Sequence, residues 1–388
     1  MWAGAAVAAT DLTLKTALLS AALALPGLGM VASMAHAETA PERGYVTFKM
    51  LDYLDSQPGA DRIRVRAPAL SALVPLGDKW SLSGTLIADS ISGASPAYYD
   101  SAITPMRDFR RAVDTSVTRY LPQGTWSLGA SYSKEADYLS RSVYGSATRS
   151  NDSKNTIWNW GLALAKDQIS PVKPLTPSPK LATGPQAKRT VDLIAGVTQV
   201  LSPTDLVQIN LGWSQNQGYL SDPYKRLDQR PDSRTRQTLQ VRWNHHLEGS
   251  GATVRSSYRY FKDSWQIRAH TLDLEHVQPL AENWKASAGL RYHSQSAARF
   301  YVESDGKISP FGPRITPGLN QQSLDTRLSA FGAVTLGVKL THQLGRDTSI
   351  DLKLEHYEQR GSWAMGTGSV NLLPFGARSI SWGLTHWF

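Results

Sequence analysis

The feature that most constrains this chain is a period-two alternation of apolar and polar residues, which recurs from residue 44 to residue 388. It is clearest over residues 324–344, where one parity holds the apolar residues Leu324, Leu328, Ala330, Val334, Leu336, Val338, Leu340 and Leu344. Such alternation puts successive side chains on opposite faces of a β-strand. Strands of soluble proteins are usually about 5–6 residues long, whereas a tilted membrane-crossing strand needs roughly 9–11. The pattern therefore favours a transmembrane β-barrel.

About sixteen such strands are predicted, within a range of about fourteen to eighteen. They are 44–53, 61–73, 78–89, 108–121, 125–134, 138–149, 155–167, 188–200, 205–218, 234–247, 252–261, 266–278, 284–300, 324–344, 348–360 and 378–388. Short turns rich in Gly, Pro, Asn and Asp alternate with connections that include long ones, which is the plan of outer-membrane barrels. We therefore predict an all-β fold with one antiparallel up-and-down barrel over residues 44–388, preceded by a short segment, 38–43.

Residues 1–37 have the pattern of an export signal. Lys15 precedes the apolar run 17–31, and Ala35, His36 and Ala37 form a small-x-small cleavage site. The alternative is a buried or anchoring N-terminal helix. Beyond residue 37 no run of about 18 apolar residues remains. Export without a helical anchor, together with the strand pattern, predicts the outer membrane of a Gram-negative bacterium.

The aromatic residues support a membrane position. Trp80, Trp126, Trp158 and Trp284 follow short turns, as residues of a periplasmic aromatic girdle do. The last predicted strand ends on Trp387 and Phe388, which resembles the C-terminal strand that the barrel-assembly machinery recognises. The predicted partners are therefore outer-membrane lipid and, during insertion, this machinery.

Composition excludes several kinds of chemistry. The chain has no cysteine, which rules out disulfides, thiolate nucleophiles and Cys-ligated metals. It has no G-x-S-x-G, H-E-x-x-H or P-loop motif, so we expect neither an enzyme nor a cofactor or metal site. A barrel enzyme with Asp273 and Glu275 as paired carboxylates is a less favoured alternative. The net charge of +9 is dispersed along strand faces, so nucleic acid is not expected as a partner.

The polar strand faces are predicted to line the lumen and are rich in arginine. Arg62, Arg64 and Arg66 alternate with Ile63 and Val65, which predicts an inward basic ladder. The full set of candidate lumen residues is Arg62, Arg64, Arg66, Arg242, Arg255, Arg259, Arg291 and Arg327. An arginine excess biases a pore towards anions. The alternatives are that these charges pair with acids on neighbouring strands, or that the ladder contacts lipopolysaccharide.

The connection that begins at Asp89 is a candidate constriction or binding loop. Its candidate residues are Asp89, Ser90, Ser92, Gly93, Ser95 and Pro96. Gly93 and Pro96 favour a fixed bend, and the polar side chains provide hydrogen-bonding groups. A capping loop that only stabilises the barrel is the alternative.

Two segments carry a resemblance to a known family. They are Ser56-Gln57-Pro58-Gly59-Ala60-Asp61-Arg62-Ile63 and Asp89-Ser90-Ile91-Ser92-Gly93-Ala94-Ser95-Pro96, the latter followed by Pro105-Met106. They resemble DUF3570, a family of uncharacterised exported proteins, over about residue 45 to the C-terminus. The resemblance implies an outer-membrane barrel without a known activity. It also implies an exported redox partner, since such genes occur near genes for flavin transferases and thioredoxin-like proteins.

The functional hypothesis from sequence is a porin-like channel with a polar, arginine-rich lumen for small solutes. The alternative is a barrel that anchors or sheathes an exported partner, such as a redox lipoprotein or flavoprotein system.

Overall fold

The computed structural model describes residues 39–58, 60–95, 104–171, 184–223, 228–303 and 321–388. Sixteen antiparallel strands form a closed barrel in which sequence neighbours pair and β1 pairs with β16, which confirms the predicted fold class. The strands are β1 (Tyr45–Gln57), β2 (Ala60–Leu76), β3 (Trp80–Ser95), β4 (Thr104–Leu121), β5 (Gly124–Lys134), β6 (Tyr138–Ser150), β7 (Thr156–Ile169), β8 (Gln186–Val200), β9 (Asp205–Gly218), β10 (Ser233–Leu247), β11 (Ala252–Asp263), β12 (Arg268–Ala281), β13 (Trp284–Gln295), β14 (Phe331–Leu344), β15 (Thr348–Arg360) and β16 (Phe375–Trp387). Among the described residues, no helix is long and apolar enough to cross a membrane.

The two faces of the wall follow the alternation in the sequence. On β15, Ile350, Leu352 and Leu354 are exposed on the outer face, while Asp351 and Lys353 lie on the inner face and form ion pairs there. Large exposed apolar side chains recur on the outer faces of the other strands. Exposed apolar residues in such number suit a surface that contacts lipid rather than water.

The two ends of the barrel differ in their connections. At one end, short turns join β2 to β3, β4 to β5, and every second pair of strands from there to β14 and β15. At this same end Gly44 and Phe388 exchange backbone hydrogen bonds of 3.0 Å. In outer-membrane barrels the short turns are periplasmic. By that convention we call the short-turn end the periplasmic end, and the opposite end, which carries the longer connections, the extracellular end. Trp80, Trp126 and Trp284 are exposed on the outer face near the periplasmic end.

The seam between β1 and β16 is crossed by an ion pair. Lys49 Nζ on β1 lies 3.9 Å from Asp351 Oδ1 on β15, and the two side chains meet over Gly383 of β16. A Cβ atom at position 383 would lie 2.4 Å from Asp351 Oδ2. The absence of a side chain at Gly383 is what lets these two residues approach across the closing strand.

The predicted strands 284–300 and 324–344 are too long. β13 ends at Gln295 and β14 begins at Phe331, and a 3₁₀ turn, Thr326–Leu328, precedes β14. The Asp325 carboxylate caps this turn by accepting a 3.0 Å hydrogen bond from the backbone N–H of Arg327. Short polar side chains compete with strand pairing in this way. Leu324 and Leu328 therefore share the parity of the apolar residues of β14 but lie before the strand begins.

The predicted constriction loop is also wrong at its start. Residues from Asp89 to Ser95 belong to β3, which pairs with β4 up to Ser95 and Thr104. With 16 and 18 residues, β3 and β4 are longer than a membrane crossing requires, so this hairpin projects beyond the lipid. Pro96 and the predicted export signal, residues 1–37, lie outside the described residues.

Candidate functional site: the charged inner wall

The inner face of β10–β13 carries a group of six charged side chains in the middle of its strands. Four of the predicted lumen residues lie there, with two carboxylates of β12 between them. The group consists of Arg242 on β10, Arg255 and Arg259 on β11, Asp273 and Glu275 on β12, and Arg291 on β13. We call it the charged wall. Arginines outnumber carboxylates in it, so the wall carries a net positive charge.

Asp273 is the main carboxylate of the charged wall. It is directly opposite Arg291 in the register, and the Arg291 Nε–H donates to its Oδ1. Ser257 Oγ on the other neighbouring strand donates to Asp273 Oδ2 at 3.2 Å. Because both its oxygens are used by adjacent strands, Asp273 ties β11, β12 and β13 together across the inner face.

The second ion pair of the wall is more open to water. Arg255 Nη1 lies 3.2 Å from Glu275 Oε2, and about half of each side chain is exposed. The pair lies nearer the periplasmic end of its strands than Asp273 does. An exposed pair of this kind contributes little to stability, so its charges remain available to solutes in the lumen.

Arg259 is the cation of the wall whose neighbouring carboxylate, Asp273, is already bonded to Arg291 and Ser257. It is directly opposite Thr271 and Gln240, which are neutral. Within the described ranges it forms no ion pair, although it lies near Arg291 and His293. Thr271 is instead hydrogen-bonded to His293, with 2.9 Å between Oγ1 and Nδ1. A partly buried guanidinium with five N–H donors and no anionic partner is a favourable position for a small anion.

A second inner group adjoins the charged wall on β14, β15 and β1. Asp351 Oδ1 lies 3.3 Å from Lys339 Nζ and 3.9 Å from Lys49 Nζ. Lys353 pairs with Glu355 at 2.8 Å. In this group three lysines pair with two carboxylates, so positive and negative charge are closer to balance than in the charged wall.

The extracellular end above the charged wall holds a buried ionic network. Arg230 lies 2.7 Å from Asp228 and 2.8 Å from Asp325, and all three side chains are fully buried. Burial raises the pKa of the Asp228 carboxyl well above its ordinary value, and the neighbouring carboxylates of Asp325 and Asp222 raise it further. This network joins the connection before β10 to the one before β14, and it closes over a core around Trp265.

Arg327 belongs to this network and not to a strand wall. Its guanidinium pairs with Asp325 and lies 2.9 Å from Asp222. The prediction placed it on the polar face of a long strand. Its position in the 3₁₀ turn instead makes it part of the extracellular cap.

The predicted basic ladder of β2 is divided between the two faces. Ile63 and Val65 pack inward against Tyr53. Arg64 and Arg66 therefore point outward, where both pair with Asp52 at 2.6 and 3.2 Å. A register shift between Leu54 and Ser56 turns Arg62 back to the inner side, because a bulge redirects the side chains next to it.

Arg62 lies at the extracellular mouth of the barrel. Its Nε is 3.9 Å from Asp55 Oδ1, and its guanidinium lies 5.3 Å from the ring centre of Phe375. Arg62 is thus the one member of the predicted ladder that contacts the interior.

The residues of the predicted constriction loop also separate. Asp89 is buried on the inner face and forms a 2.7 Å ion pair with Arg110 of β4. Ser90 is exposed on the opposite face, and Ser92, Gly93 and Ser95 continue β3 in register with β4. Trp387 lies on the inner parity and Phe388 on the outer, with Phe388 exposed.

Sequence reasoning missed a group of acids beside the Asp89–Arg110 pair. One carboxylate oxygen from each of Asp108, Glu135 and Asp137 lies within 4.8 Å of the others, a spacing compatible with a cation. Asp108 is on β4, and the other two are in the turn after β5. No sequence spacing links them, so only the strand register reveals the group. Each of the three also has interactions within the protein.

Fold and wall together define a sixteen-stranded barrel of the outer-membrane type, with a polar, charged interior. The chain belongs to the family DUF3570, described as a protein of unknown function, whose model matches residues 15–102 and 99–381. No curated protein matches the sequence.

Solved structures resemble the fold at low identity. A bacterial polysaccharide outer membrane secretin is 9% identical with a TM-score of 0.51, covering 88% of this chain and 98% of that one. The CymD monoaromatic hydrocarbon channel is 10% identical with a TM-score of 0.47, covering 94% and 93%. OccK2 of Pseudomonas aeruginosa, in complex with glucuronate, is 8% identical with a TM-score of 0.43, covering 91% and 99%. At such identities the likeness shows the fold alone.

Proposed function

We propose that this protein is a porin-like channel in the outer membrane of a Gram-negative bacterium, which passes small solutes and prefers anions. The observation that carries the proposal is Arg259, an inward guanidinium with no ion-pair partner among the described residues. The net positive charge of the charged wall supports the same preference, since rings of Arg or Lys favour anions in pores. A sixteen-stranded barrel is wide enough for an aqueous channel.

The solutes that suit this wall are small and carry a carboxylate or a phosphate. Arginine binds both groups through two parallel N–H···O hydrogen bonds, and Arg259 has its donors free for this. Arg255 lies on the same face of β11, four residues nearer the periplasmic end. An anion that leaves Arg259 therefore finds a second guanidinium further along the strand, and binding spread over several sites favours passage.

The test is ion selectivity of the purified protein in planar lipid bilayers. Arg259→Gln is expected to lower the chloride-to-potassium permeability ratio, measured as the reversal potential in a KCl gradient. Lys262→Gln is the matched control, because Lys262 is on the same strand with the same charge but is exposed on the outer face. Arg64→Gln/Arg66→Gln is a second control, since both residues point away from the lumen.

Two results would contradict the proposal, the first by excluding a channel and the second by excluding Arg259 as the source of its anion preference. One is a barrel that shows no stable open steps at neutral pH. The other is an equal shift in selectivity for Arg259→Gln and Lys262→Gln, which would mean that total charge and not the lumen sets it. A silent barrel that co-purifies with a small exported redox protein would favour the anchoring or sheathing role.

A further inference from the structure

A band of cations lies on the outer face of five consecutive strands. It consists of Arg111 on β4, Lys134 on β5, Arg141 on β6, Lys166 on β7 and Arg189 on β8, and all five are exposed. We call this set the basic band. Its members have the parity of the outer apolar residues, so they do not face the lumen.

The basic band lies near the extracellular border of the apolar surface, with Phe109 on β4 exposed two residues beyond Arg111. On each strand the cation is two residues beyond an apolar side chain of the same face: Val113, Tyr132, Val143, Leu164 and Val191. Tyr132, Val143 and Leu164 are exposed, as lipid-facing residues are. Side chains at this border of an outer-membrane barrel reach the headgroup layer of the outer leaflet.

The register brings the cations of the band directly opposite one another. Lys166 pairs with Arg141 on one side and with Arg189 on the other. Directly opposite residues have Cβ atoms about 4.5–5.5 Å apart, and like charges in such positions destabilise the sheet. The three cations therefore repel one another unless an anion lies among them.

The described part of the protein supplies no such anion. None of the five band residues forms an ion pair with a described carboxylate, and Arg111 contacts only the ring of Phe109, at 5.2 Å. Arg64 and Arg66, at the same end of β2, differ because Asp52 neutralises them. The described residues thus leave the basic band as a charged surface without a carboxylate counter-ion.

The periplasmic border of the same strands is arranged differently. Arg119 on β4 is opposite Trp126, and its guanidinium lies 5.3 Å from the ring centre of Trp80. Arg149 on β6 is opposite Gly124 and Trp158. Here each cation is separated from the others by aromatic or small residues, and no cation pair is formed.

We propose that the basic band binds the phosphate groups of lipopolysaccharide, the phosphorylated glycolipid of the outer leaflet. Arg141, Lys166 and Arg189 form a row that presents several donors to phosphate oxygens, and Arg and Lys both bind phosphate through charge-assisted hydrogen bonds. The binding site depends on the outer-membrane location in the proposed function and not on conductance.

The test uses the full barrel in detergent micelles with bis-phosphorylated lipid A as the probe. Arg141→Gln/Lys166→Gln is expected to weaken lipid A binding by about thirtyfold, since each cation near an anionic surface contributes about 1 kcal/mol. Arg119→Gln/Arg149→Gln removes the same charge from the periplasmic border and is expected to leave the affinity unchanged. The charge-conserving Lys166→Arg should bind as the wild type does.

Three results would overturn the proposal: unchanged affinity of the Arg141→Gln/Lys166→Gln variant, an equal loss in the Arg119→Gln/Arg149→Gln control, or full binding of dephosphorylated lipid A. Equal affinity for phosphatidylglycerol vesicles would assign the band to anionic phospholipid and also overturn it. Retention of the barrel fold in each variant is checked by the slower migration of the unfolded form after heating. A barrel that binds lipid A without conducting would refute the proposed channel but not the proposed lipid A site.

Discussion

The inner faces of β5–β9 and of β10–β13 are parts of one sheet, yet they are built from different residues. The β5–β9 wall is lined mainly by Ser, Gly, Ala and Asn. Apart from the Lys188–Asp167 ion pair near the extracellular end, many of its hydrogen bonds join neutral groups, such as Ser131 and Ser142 at 2.6 Å. The β10–β13 wall joins its strands through Asp273 and the arginines around it. The same cross-strand positions are thus held by weak neutral contacts on one side and by charged contacts on the other.

The difference shows how shape and charge are distributed in the lumen. Small residues leave space next to the β5–β9 wall, because they project little from the backbone. The β10–β13 wall carries long side chains with a net positive charge. In the proposed channel, the β5–β9 wall would therefore offer an anion more space and the β10–β13 wall more electrostatic attraction.

The largest effect should come from removing the central carboxylate of the charged wall. Asp273→Asn leaves Arg291 without its ion pair and Arg259 without a nearby negative charge. We expect a loss of about 3 kcal/mol in the free energy of unfolding, as for other partly buried charge pairs that lose one partner. Ser142→Ala on the β5–β9 wall removes one neutral hydrogen bond and should cost about 1 kcal/mol. Urea unfolding followed by tryptophan fluorescence measures both, and equal losses would contradict the contrast.

An intermediate effect is expected from adding one methyl group to the β5–β9 wall. A Cβ at Gly129 would lie 2.3 Å from the Tyr144 ring, whose hydroxyl donates to Asp114 at 2.7 Å. Gly129→Ala should therefore displace Tyr144 and cost about 1–3 kcal/mol. At Gly145 a Cβ would lie 3.6 Å from its nearest neighbour, Ser127 O, so Gly145→Ala is the control and should be nearly neutral. The same unfolding measurement applies, and a larger loss for Gly145→Ala would show that the wall is not sterically limited at Gly129.

The smallest effect should come from the exposed pair of the charged wall. Arg255→Gln removes a partner from Glu275, but about half of each side chain is in water. We expect a change of less than about 1 kcal/mol in the free energy of unfolding. A loss as large as that for Asp273→Asn would mean that the two ion pairs act as one network.

The architecture was predictable from sequence because alternation is enforced wherever one face meets lipid. Arg242, Arg255, Arg259 and Arg291 occur in regular strands with apolar neighbours, and their face followed from parity alone. The rule failed for Arg64 and Arg66. At the extracellular end the outer face leaves the lipid and becomes charged, while Ile63 and Val65 turn inward to pack against Tyr53.

Other features of the interior were not encoded in local patterns. The register shift that redirects Arg62 depends on pairing between two strands. The network of Asp228, Arg230 and Asp325 joins connections that are far apart in sequence. The acids Asp108, Glu135 and Asp137 meet only because β4, β5 and β6 are aligned. In each case contacts between strands or loops decide the outcome, and a single strand carries no signal of them.

The contact of Lys49 and Asp351 over Gly383 has a consequence for how the cylinder is completed. Before β1 joins β16, Asp351 has Lys339 as its lysine partner; after joining, it lies between Lys339 and Lys49. The last pairing step thus adds a contact between Lys49 and the Asp351 carboxylate to the backbone hydrogen bonds. A slip of two residues would place Ser381 or Thr385 beneath the two side chains instead of the glycine. Gly383 therefore acts as a register check, which distinguishes correct closure of the barrel from a shifted one.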